Sequence, residues 1–351
     1  MIRKSSILAW LSARPRLEFK PAAGTAIVVA GVVLFGVYTS MDGLLTEWRA
    51  REQAVLAISP SGILVPLPDI SRPGAEISRL EKPANVQVLA SVAMVKDFFS
   101  STGYSLDAVR RGQVAVPRLQ HASLPYDLKS VAPAAERKAV FLRCMLPYVL
   151  QANKRVLDQR EKLLALREKI TGGESAQPAE KTWLAVLFDE YGVKPGNYSA
   201  LALRVDIVPP SLALAQSAVE SGWGTSRFAR EGNAPFGQWT TAAYRGMVPH
   251  ERDDGQTYKI RAFNDLAESV DSYLRNLNTH RAYRAFRQER AILRARKVPV
   301  DSVEIAAALA SYSQEGDAYV ALVRRVIKEN RLRALDEARL SDTVVRSRPG
   351  A

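Results

Sequence analysis

A run of 21 residues without a charged side chain lies between Lys20 and Asp42. Its sequence, PAAGTAIVVAGVVLFGVYTSM, is about as long as a helix must be to cross a hydrocarbon layer of ~30 Å. We therefore predict a transmembrane signal anchor over residues 24–41, preceded by a basic segment over residues 1–23. A cleaved secretory signal is the alternative, although its apolar core is usually shorter and Tyr38-Thr-Ser-Met41 makes a poor cleavage site.

The charges on either side of this run indicate how the chain is oriented. Five basic residues and one acid precede it, whereas the first two arginines that follow it are offset by three acids. The positive-inside rule then keeps residues 1–23 in the cytoplasm and places the rest of the chain outside. A net charge of +13 suits nucleic acid, an anionic membrane surface or an acidic polymer, and export argues against nucleic acid.

Cysteine and histidine are too scarce for two kinds of chemistry. The single Cys144 excludes an intrachain disulfide, and the three histidines, at positions 121, 250 and 280, are too widely separated to indicate a zinc site. We expect neither a metal nor an organic cofactor. Cys144 lies in an apolar run and is expected to be buried.

Prolines, glycines and helical periodicity divide the exported part. Prolines at 60, 66, 68, 73 and 83 predict an extended linker over residues 42–85. Apolar residues recur with a period close to 3.6 between 134 and 170, which predicts a long helix within a helical N-terminal region over 86–171. A Gly- and Pro-containing linker over 172–181 leads to a second unit over 182–330, and residues 331–351 are expected to form a polar tail.

A second long helix is predicted from Leu266 to Lys297. Five arginines fall on one face of it, at positions 281, 284, 287, 290 and 294. We interpret this face as solvated. The alternative is contact with anionic phospholipid or with the acidic stem peptides of a cell wall.

The segment from Pro209 to Gly224 carries the most chemical information. Two prolines before an Ala/Leu run mark the start of a helix, and Gly222 marks its end. Glu220 falls in the last turn, where the helix dipole disfavours an anion, and Trp223 is placed to exclude water from its carboxyl group. Both effects raise the pKa of Glu220 and favour a protonated acid, which is what a glycosidic leaving oxygen requires. A glutamate at a helix end is otherwise an ordinary surface residue.

The run AVESGWGTSRFAREGNAPFGQW resembles the glucosaminidase family of peptidoglycan hydrolases, and within it the Bax-type proteins of Gram-negative bacteria. The resemblance continues through three more segments, so that it spans about residues 85 to 330: RKAVFLRCMLPYVLQANKRVL, SVDSYLRNLNTHRAYRAFRQER and LASYSQEGDAYV. It implies a mainly α (α+β) fold, with a lysozyme-like catalytic domain over 182–330 and a small β-hairpin lobe.

The resemblance also implies the site residues. Glu220, before Ser-Gly-Trp-Gly, is the catalytic acid. The second carboxylate lies in Glu251-Arg-Asp-Asp-Gly255, with Glu251 preferred and Asp253 or Asp254 as substitutes, or else all three are solvated turn residues. Tyr312 resembles the tyrosine that lines the sugar cleft, although a core position is the alternative.

Further residues are expected to contact the sugar: Trp223, Asn233, Trp239 and Tyr244, in addition to the acids at 253 and 254. Core positions are an alternative for the aromatic residues, and Phe236 is expected in the core. The family pattern Asn-Asn-Leu-Phe-Gly is here Asn233-Ala-Pro-Phe-Gly237, so that Ala234 and Pro235 alter the loop beside the acid. The cysteines that many relatives carry after Gln-Trp are replaced by Thr-Thr-Ala-Ala.

The resemblance thus implies an endo-β-N-acetylglucosaminidase that cleaves β-1,4 bonds of peptidoglycan glycan strands. It would be held by its N-terminal helix in the inner membrane, with the catalytic domain in the periplasm. Muramidase action on the neighbouring bond, or a non-hydrolytic peptidoglycan-binding scaffold, are the alternatives. The sequence leaves the oligomeric state open.

Overall fold

A computed structural model describes residues 56–58, 64–66, 91–119, 123–240, 246–249, 259–313 and 315–342. The chain divides into two compact units, Met1–Leu80 and Glu81–Ala351. In the first unit, strands β1 (Leu56–Ile58) and β2 (Leu64–Pro66) pair antiparallel, with Ala57 opposite Val65. The predicted anchor over 24–41 lies outside the described residues. None of the described helices is both long and apolar enough to span a membrane.

The second unit is mainly helical with few strands, which confirms the predicted fold class at that level. Three short strands, β3, β4 and β5, form an antiparallel sheet with β5 in the centre. The helices and strands are α1 (Val92–Ser101), α2 (Leu106–Arg110), α3 (Ala134–Thr171), α4 (Pro178–Glu190), α5 (Tyr198–Arg204), α6 (Pro210–Ser221), α7 (Arg227–Glu231), β3 (Trp239–Thr240), β4 (Gly246–Met247), β5 (Lys259–Arg261), α8 (Leu266–Thr279), α9 (Arg284–Ala295), α10 (Ser302–Ile305) and α11 (Asp317–Glu329).

Short 3-10 turns connect some of these helices. Their bounds are Leu128–Ser130, Arg281–Tyr283, Ala306–Tyr312 and Leu332–Leu335.

Helix α3 supplies one wall of the core. Its 38 residues confirm the helix predicted from 134 to 170, and its apolar stripe is buried because it packs against α5, α6 and α8. Phe141, Met145 and Val149 are completely buried on this stripe, each contributing about 1.5–3 kcal/mol through burial. The region 86–171 and the region 182–330 therefore lie in one compact unit.

Helix α6 lies at the centre of that unit and is buried on nearly all sides. Residues 211–218 expose 1% or less of their surface, because α3, α11 and the turn Leu332–Leu335 surround them. A short apolar helix buried all round needs its end groups satisfied by neighbours rather than by water. The sequence begins α6 with Pro210, whose missing N–H leaves one fewer donor to satisfy.

The cap of α6 comes from 125 residues away. Ser211 donates its backbone N–H to Asp336 Oδ1 and its hydroxyl to Asp336 Oδ2, both at 2.7 Å. Burial is the largest influence on the Asp336 carboxyl and raises its pKa to about 6, although the two bonds from Ser211 favour the anion. The N-terminal end of the central helix is thus capped by a carboxyl group with a raised pKa.

We expect a polar tail over 331–351, whereas the structure packs residues 332–342 against the rest of the unit. Leu332 and Leu335 are completely buried beside α6. Val116 accepts from Ser341 N at 2.8 Å and donates to Arg339 O at 2.7 Å. The two buried leucines explain the difference, since their apolar side chains are hidden in a segment whose composition is otherwise polar.

The helix predicted from Leu266 to Lys297 is divided into α8 and α9. His280 between them has an extended backbone (φ −66°, ψ 140°), and its Nδ1 accepts from the backbone N–H of Ala282. Such a side-chain bond to the backbone starts a new turn and ends the preceding helix. The periodic apolar pattern continues across the break because both helices pack on the same core.

The expectation of a solvated arginine face on α9 is wrong for Arg287 and Arg290, which expose only 4% and 1% of their surface. Arg290 donates to the carbonyl oxygens of Asp206 (3.1 Å) and Ile207 (2.6 Å), just before α6. Burial opposes ionisation of Asp206, but the charges of Arg290, Arg294 and Arg160 outweigh it and keep the pKa of that carboxyl below its ordinary value. These cations therefore fix the position of residues 206 and 207, which lead into α6.

The cap of α6 generates a stability prediction. Asp336→Ala should lower the free energy of unfolding by about 1–2 kcal/mol, because Ser211 loses its acceptor.

Since the folded pKa of Asp336 is raised, its carboxyl contributes stability at low pH that is lost as pH rises from about 4 to about 6. Asp336→Asn cannot ionise, so it should gain stability relative to the natural protein between pH 4.5 and 7.5, as measured by urea unfolding. Asp342→Asn, at an exposed position of the same segment, is the control and should show no such gain.

Candidate active site

Glu220 is the penultimate residue of α6. It lies in the last turn of the helix, where Val219 and Glu220 are partly exposed. The helix ends at Gly222 in the left-handed conformation (φ 57°, ψ 45°). Trp223 N donates to Ala218 O at 2.9 Å and Gly222 N donates to Val219 O, so these two carbonyl groups of the last turns are satisfied. Central burial and this end geometry together bring a carboxyl group to the rim of a helix that carries no other charged side chain.

The chain reverses sharply after Glu220. Trp223 (φ 60°) and Gly224 (φ 77°) continue in the left-handed region, which costs a tryptophan about 1–2 kcal/mol. A Cβ atom on Gly224 would lie 2.8 Å from Phe141 and 2.9 Å from Leu128. Only glycine therefore lets this turn pack against the N-terminal helical region, which holds the turn in place.

Trp223 contacts α3. Its ring lies edge-on to Phe141 at 6.0 Å between centroids, and the Lys138 ammonium group lies 4.7 Å from its centre. The ring is half-buried against the core. That Trp223 also forms a wall of a sugar site remains a prediction.

A chain of buried hydrogen bonds leads to Glu220. Tyr273 donates its hydroxyl to Gln216 Oε1 at 2.7 Å, and Gln216 donates from Nε2 to the Tyr319 hydroxyl oxygen at 2.9 Å. The Tyr319 hydroxyl is hydrogen-bonded to the Glu220 side chain. Because the Tyr319 oxygen already accepts from Gln216, its proton is directed at the Glu220 carboxyl group. The relay has a single direction, from Tyr273 to the acid.

Stacked aromatic rings hold the relay rigid. Tyr312 stacks on Tyr319 (5.5 Å, 8° between planes), and Phe236 stacks on Tyr273 (4.0 Å, 9°). Tyr312 donates its hydroxyl to Phe236 O at 3.4 Å, so the two stacks are joined. The structure thus brings the predicted Tyr312 to the surroundings of Glu220, and it confirms Phe236 as a core residue.

The loop after α7 passes close to the acid at Gly237. A Cβ atom there would lie 3.6 Å from Glu220 Oε2, in ordinary contact, and the backbone is left-handed (φ 60°). The backbone conformation, rather than space, therefore favours glycine at this position. The loop that carries the altered Ala234 and Pro235 is consequently packed beside the acid.

The pKa of Glu220 is raised, as the sequence predicts. Burial is the largest cause; the hydrogen bond from Tyr319 opposes it, and the negative charge of Glu315 adds to it. The sequence attributes the burial to Trp223, whereas the structure packs Tyr319 and the Gly237 backbone against the carboxyl group. The net result is a carboxylic acid that retains its proton to higher pH than an exposed glutamate does.

Asn233 is hydrogen-bonded to the backbone that follows β5. It is buried in the left-handed conformation (φ 49°), and its Nδ2 donates to Phe263 O at 3.3 Å and to Asn264 O at 3.2 Å. Ala234 packs with Ile260 and Phe263 in a small separate apolar cluster. The expected sugar contact of Asn233 therefore remains a prediction beside an observed structural role.

Of the remaining predicted residues, the structure describes only the backbone of Trp239. The candidates for the second carboxylate, Glu251, Asp253 and Asp254, lie outside the described residues, and so does Tyr244. Trp239 is in β3, where its backbone pairs with Ile260 of β5. Among the described residues, no group of three His, Cys, Asp or Glu side chains is arranged to hold a metal ion.

The sequence analysis does not predict three residues of the hydrogen-bond chain at the site: Gln216, Tyr273 and Tyr319. Gln216 stands four residues before Glu220 on a helix, so its place on the same face could be inferred from spacing. Tyr273 and Tyr319 lie 53 and 99 residues beyond Glu220, and no local pattern indicates that they meet it.

Comparison with known proteins places the chain in a family. Residues 196–332 match the family model "Glucosaminidase", described as mannosyl-glycoprotein endo-beta-N-acetylglucosaminidase. The chain is 35% identical to Protein bax of Escherichia coli strain K12 over 204 residues, which are 56% of this chain and 71% of that protein. The chain belongs to the Bax-type glucosaminidase family.

Two further likenesses of this Bax-type chain cover less. It is 33% identical to Peptidoglycan hydrolase FlgJ of Salmonella typhimurium over 97 residues, 24% of this chain and 31% of that protein. The chain therefore matches about a third of the length of FlgJ. Among solved structures, the catalytic domain of the autolysin Auto from Listeria monocytogenes matches 49% of this chain and 96% of its own, at 16% identity and a TM-score of 0.29.

The surroundings of the acid predict opposite shifts in two variants of this Bax-type protein. Tyr319→Phe removes a hydrogen bond that favours the anion, so the pKa of Glu220 should rise. Glu315→Gln removes a nearby negative charge, so the same pKa should fall. Carbon-13 NMR titration of glutamate carboxyl groups measures both shifts, with Glu220→Gln to assign the signal. Glu304→Gln, an exposed control, should leave the signal in place; shifts of the same sign in both variants would contradict this account.

Proposed function

We propose that this protein is a peptidoglycan hydrolase, an endo-β-N-acetylglucosaminidase with a lysozyme-like catalytic domain. The observation that carries the proposal is a half-buried carboxyl group with a raised pKa, Glu220, at the rim of the central helix inside the segment that the family model matches. Its likeness to a relative named peptidoglycan hydrolase supports the choice of substrate.

Glu220 would act as the general acid. Its proton passes to the glycosidic oxygen while the bond from that oxygen to the anomeric carbon breaks. The resulting carboxylate then accepts the hydrogen bond from Tyr319, which favours the anionic form. The relay behind Tyr319 keeps its hydroxyl proton aimed at the carboxylate, so no reorientation is needed when the charge develops.

The second half of the reaction requires another group. Glu251 is the proposed residue, with Asp253 and Asp254 as substitutes. It would either remove a proton from the attacking water or stabilise an oxazolinium ion formed by the acetamido group of the substrate. In both routes the hydroxyl of water ends on the anomeric carbon, and the proton that Glu220 loses is replaced from solvent or from the attacking water.

The cleft is proposed to lie between the helical body and the small sheet. Tyr312 is near the acid and would line it. Trp223, Trp239, Tyr244 and Asn233 are further proposed sugar contacts. Anchoring of the chain in the inner membrane through residues 24–41, with the catalytic domain in the periplasm, belongs to the same proposal and is tested by a periplasmic reporter fused to the C-terminus.

Removal of the acid should strongly reduce turnover. Glu220→Gln keeps the side-chain shape, and loss of a general acid typically costs 10²–10⁴-fold in rate, so release of soluble fragments from purified peptidoglycan should fall by about that factor. Glu304→Gln, an exposed glutamate on α10, serves as the matched control and should retain activity. Equal unfolding curves of the two variants establish that the loss is chemical. Wild-type turnover by Glu220→Gln would sink the proposed mechanism.

The cleaved bond is read from the products. After hydrolysis and borohydride reduction, an N-acetylglucosaminidase leaves the alcohol of N-acetylglucosamine at the reducing end, and we expect this product. The alcohol of N-acetylmuramic acid would identify a muramidase instead. Binding of peptidoglycan without any product would favour the scaffold interpretation.

A further inference from the structure

A cavity of about 650 Å³ opens on the surface formed by α10, α11 and the turn Leu332–Leu335. Its apolar part includes Val303, Ala321 and Ile327. Five of its nine lining residues are arginine or lysine, and none is acidic: Arg324, Arg325, Lys328, Arg331 and Arg333. An apolar floor below a ring of cations is suited to a ligand that is anionic at one end and apolar at the other.

Two of these cations have carboxylate partners among the residues that the structure describes. Arg331 pairs with Asp107 at 3.3 Å where both side chains are exposed, an arrangement of little strength, and Arg333 pairs with Asp301. Within the part of the chain that the structure describes, no salt bridge engages Arg324, Arg325 or Lys328. Arg324 donates its Nε to Val303 O at 2.8 Å, and its side chain lines the cavity.

The cavity and the candidate active site use opposite faces of α11. Residues 321, 324, 325 and 328 follow a spacing of three and four and share one face. Tyr319 points inward to Gln216 and Glu220. At 100° per residue, the centre of the cationic face lies about 190° around the helix from Tyr319. A ligand in the cavity is therefore separated by the body of the helix from a glycan held at Glu220.

We propose that this cavity is a membrane-contact site that takes the phosphate group of an anionic phospholipid, with the first carbons of its lipid part on the apolar floor. Arginine forms paired hydrogen bonds to phosphate oxygens, and each cation near an anionic membrane adds to the attraction. Leu322 is 37% exposed and lies three residues before Arg325 on α11, so it offers a position for a probe beside the cavity. An acidic stem peptide is disfavoured as the occupant, because its charged groups find no partner on the apolar floor and a glycan held at Glu220 would lie on the other side of α11.

Local fluorescence tests the proposal in the full chain. An environment-sensitive dye is attached at Leu322→Cys or, as the matched control, at Ile292→Cys on α9, where the exposed fraction is similar at 41%. The native Cys144 is fully buried, and burial raises the pKa of its thiol to about 12, so it does not compete for the dye. Vesicles of phosphatidylcholine containing phosphatidylglycerol should shift the emission at 322 to the blue, whereas phosphatidylcholine alone should not, and the dye at 292 should respond to neither.

Charge reversal completes the test. Arg325→Glu with Lys328→Glu should weaken the response at 322 by at least about tenfold in lipid concentration, and the matched pair Arg281→Glu with Arg284→Glu should leave it unchanged. Equal responses at 322 and 292, or a response that survives the first pair, would overturn the proposal. So would a response to inorganic phosphate or to peptidoglycan fragments without one to vesicles. Turnover of purified peptidoglycan by the same variants should be unchanged, which separates this outcome from the fate of the proposed hydrolase.

Discussion

The burial of α6 on nearly all sides is the constraint on which the rest of the unit depends. Residues 211–218 of this helix of 12 residues are fully buried, so side chains are partly exposed only in its last turn, which carries Glu220. The same burial forbids solvent from satisfying the helix ends. Asp336 therefore closes one end and the left-handed Gly222 the other, while the cations around Asp206 fix the chain that enters the helix.

The electrostatics of Glu220 follow from this position as a balance of two effects. Burial favours the protonated acid, and the Tyr319 hydroxyl favours the carboxylate. Both effects serve the proposed role of Glu220 as general acid, because burial alone would make it a poor proton donor and anion stabilisation alone would leave it ionised before a substrate bound. Because Tyr319 is oriented by Gln216, and Gln216 by Tyr273, the stabilising bond is available without a rearrangement of the surrounding side chains.

Local sequence signals predict the features that depend on local physics. The period of α3 and the proline start and glycine end of α6 each follow from residues within one or two helical turns. The direction of the pKa shift of Glu220 is predicted from its helix end and Trp223, but the groups that cause the shift in the structure include Tyr319 and Glu315, far along the chain. Features that depend on partners far along the chain are not predictable in this way. Arg290 belongs to a basic helical stripe that reads as solvated, and only the fold shows that it binds carbonyl groups before α6. Leu332 and Leu335 sit in a polar segment whose burial is decided by the surface they meet.

The compact unit is longer than the segment that the family model matches, because residues inside the match depend on contacts with residues outside it. The match covers residues 196–332, yet the acid's turn packs through Gly224 against Phe141 and Leu128, which precede it. The cap of α6, Asp336, lies four residues beyond its end. A chain cut to the matched segment would expose the α3-facing side of α6 and leave Ser211 without its acceptor, losing apolar burial and a buried hydrogen bond together. The residues outside the match are thus part of the structure that holds Glu220 in place, which is why the N-terminal helical region and the C-terminal segment belong to the same compact unit as the candidate site.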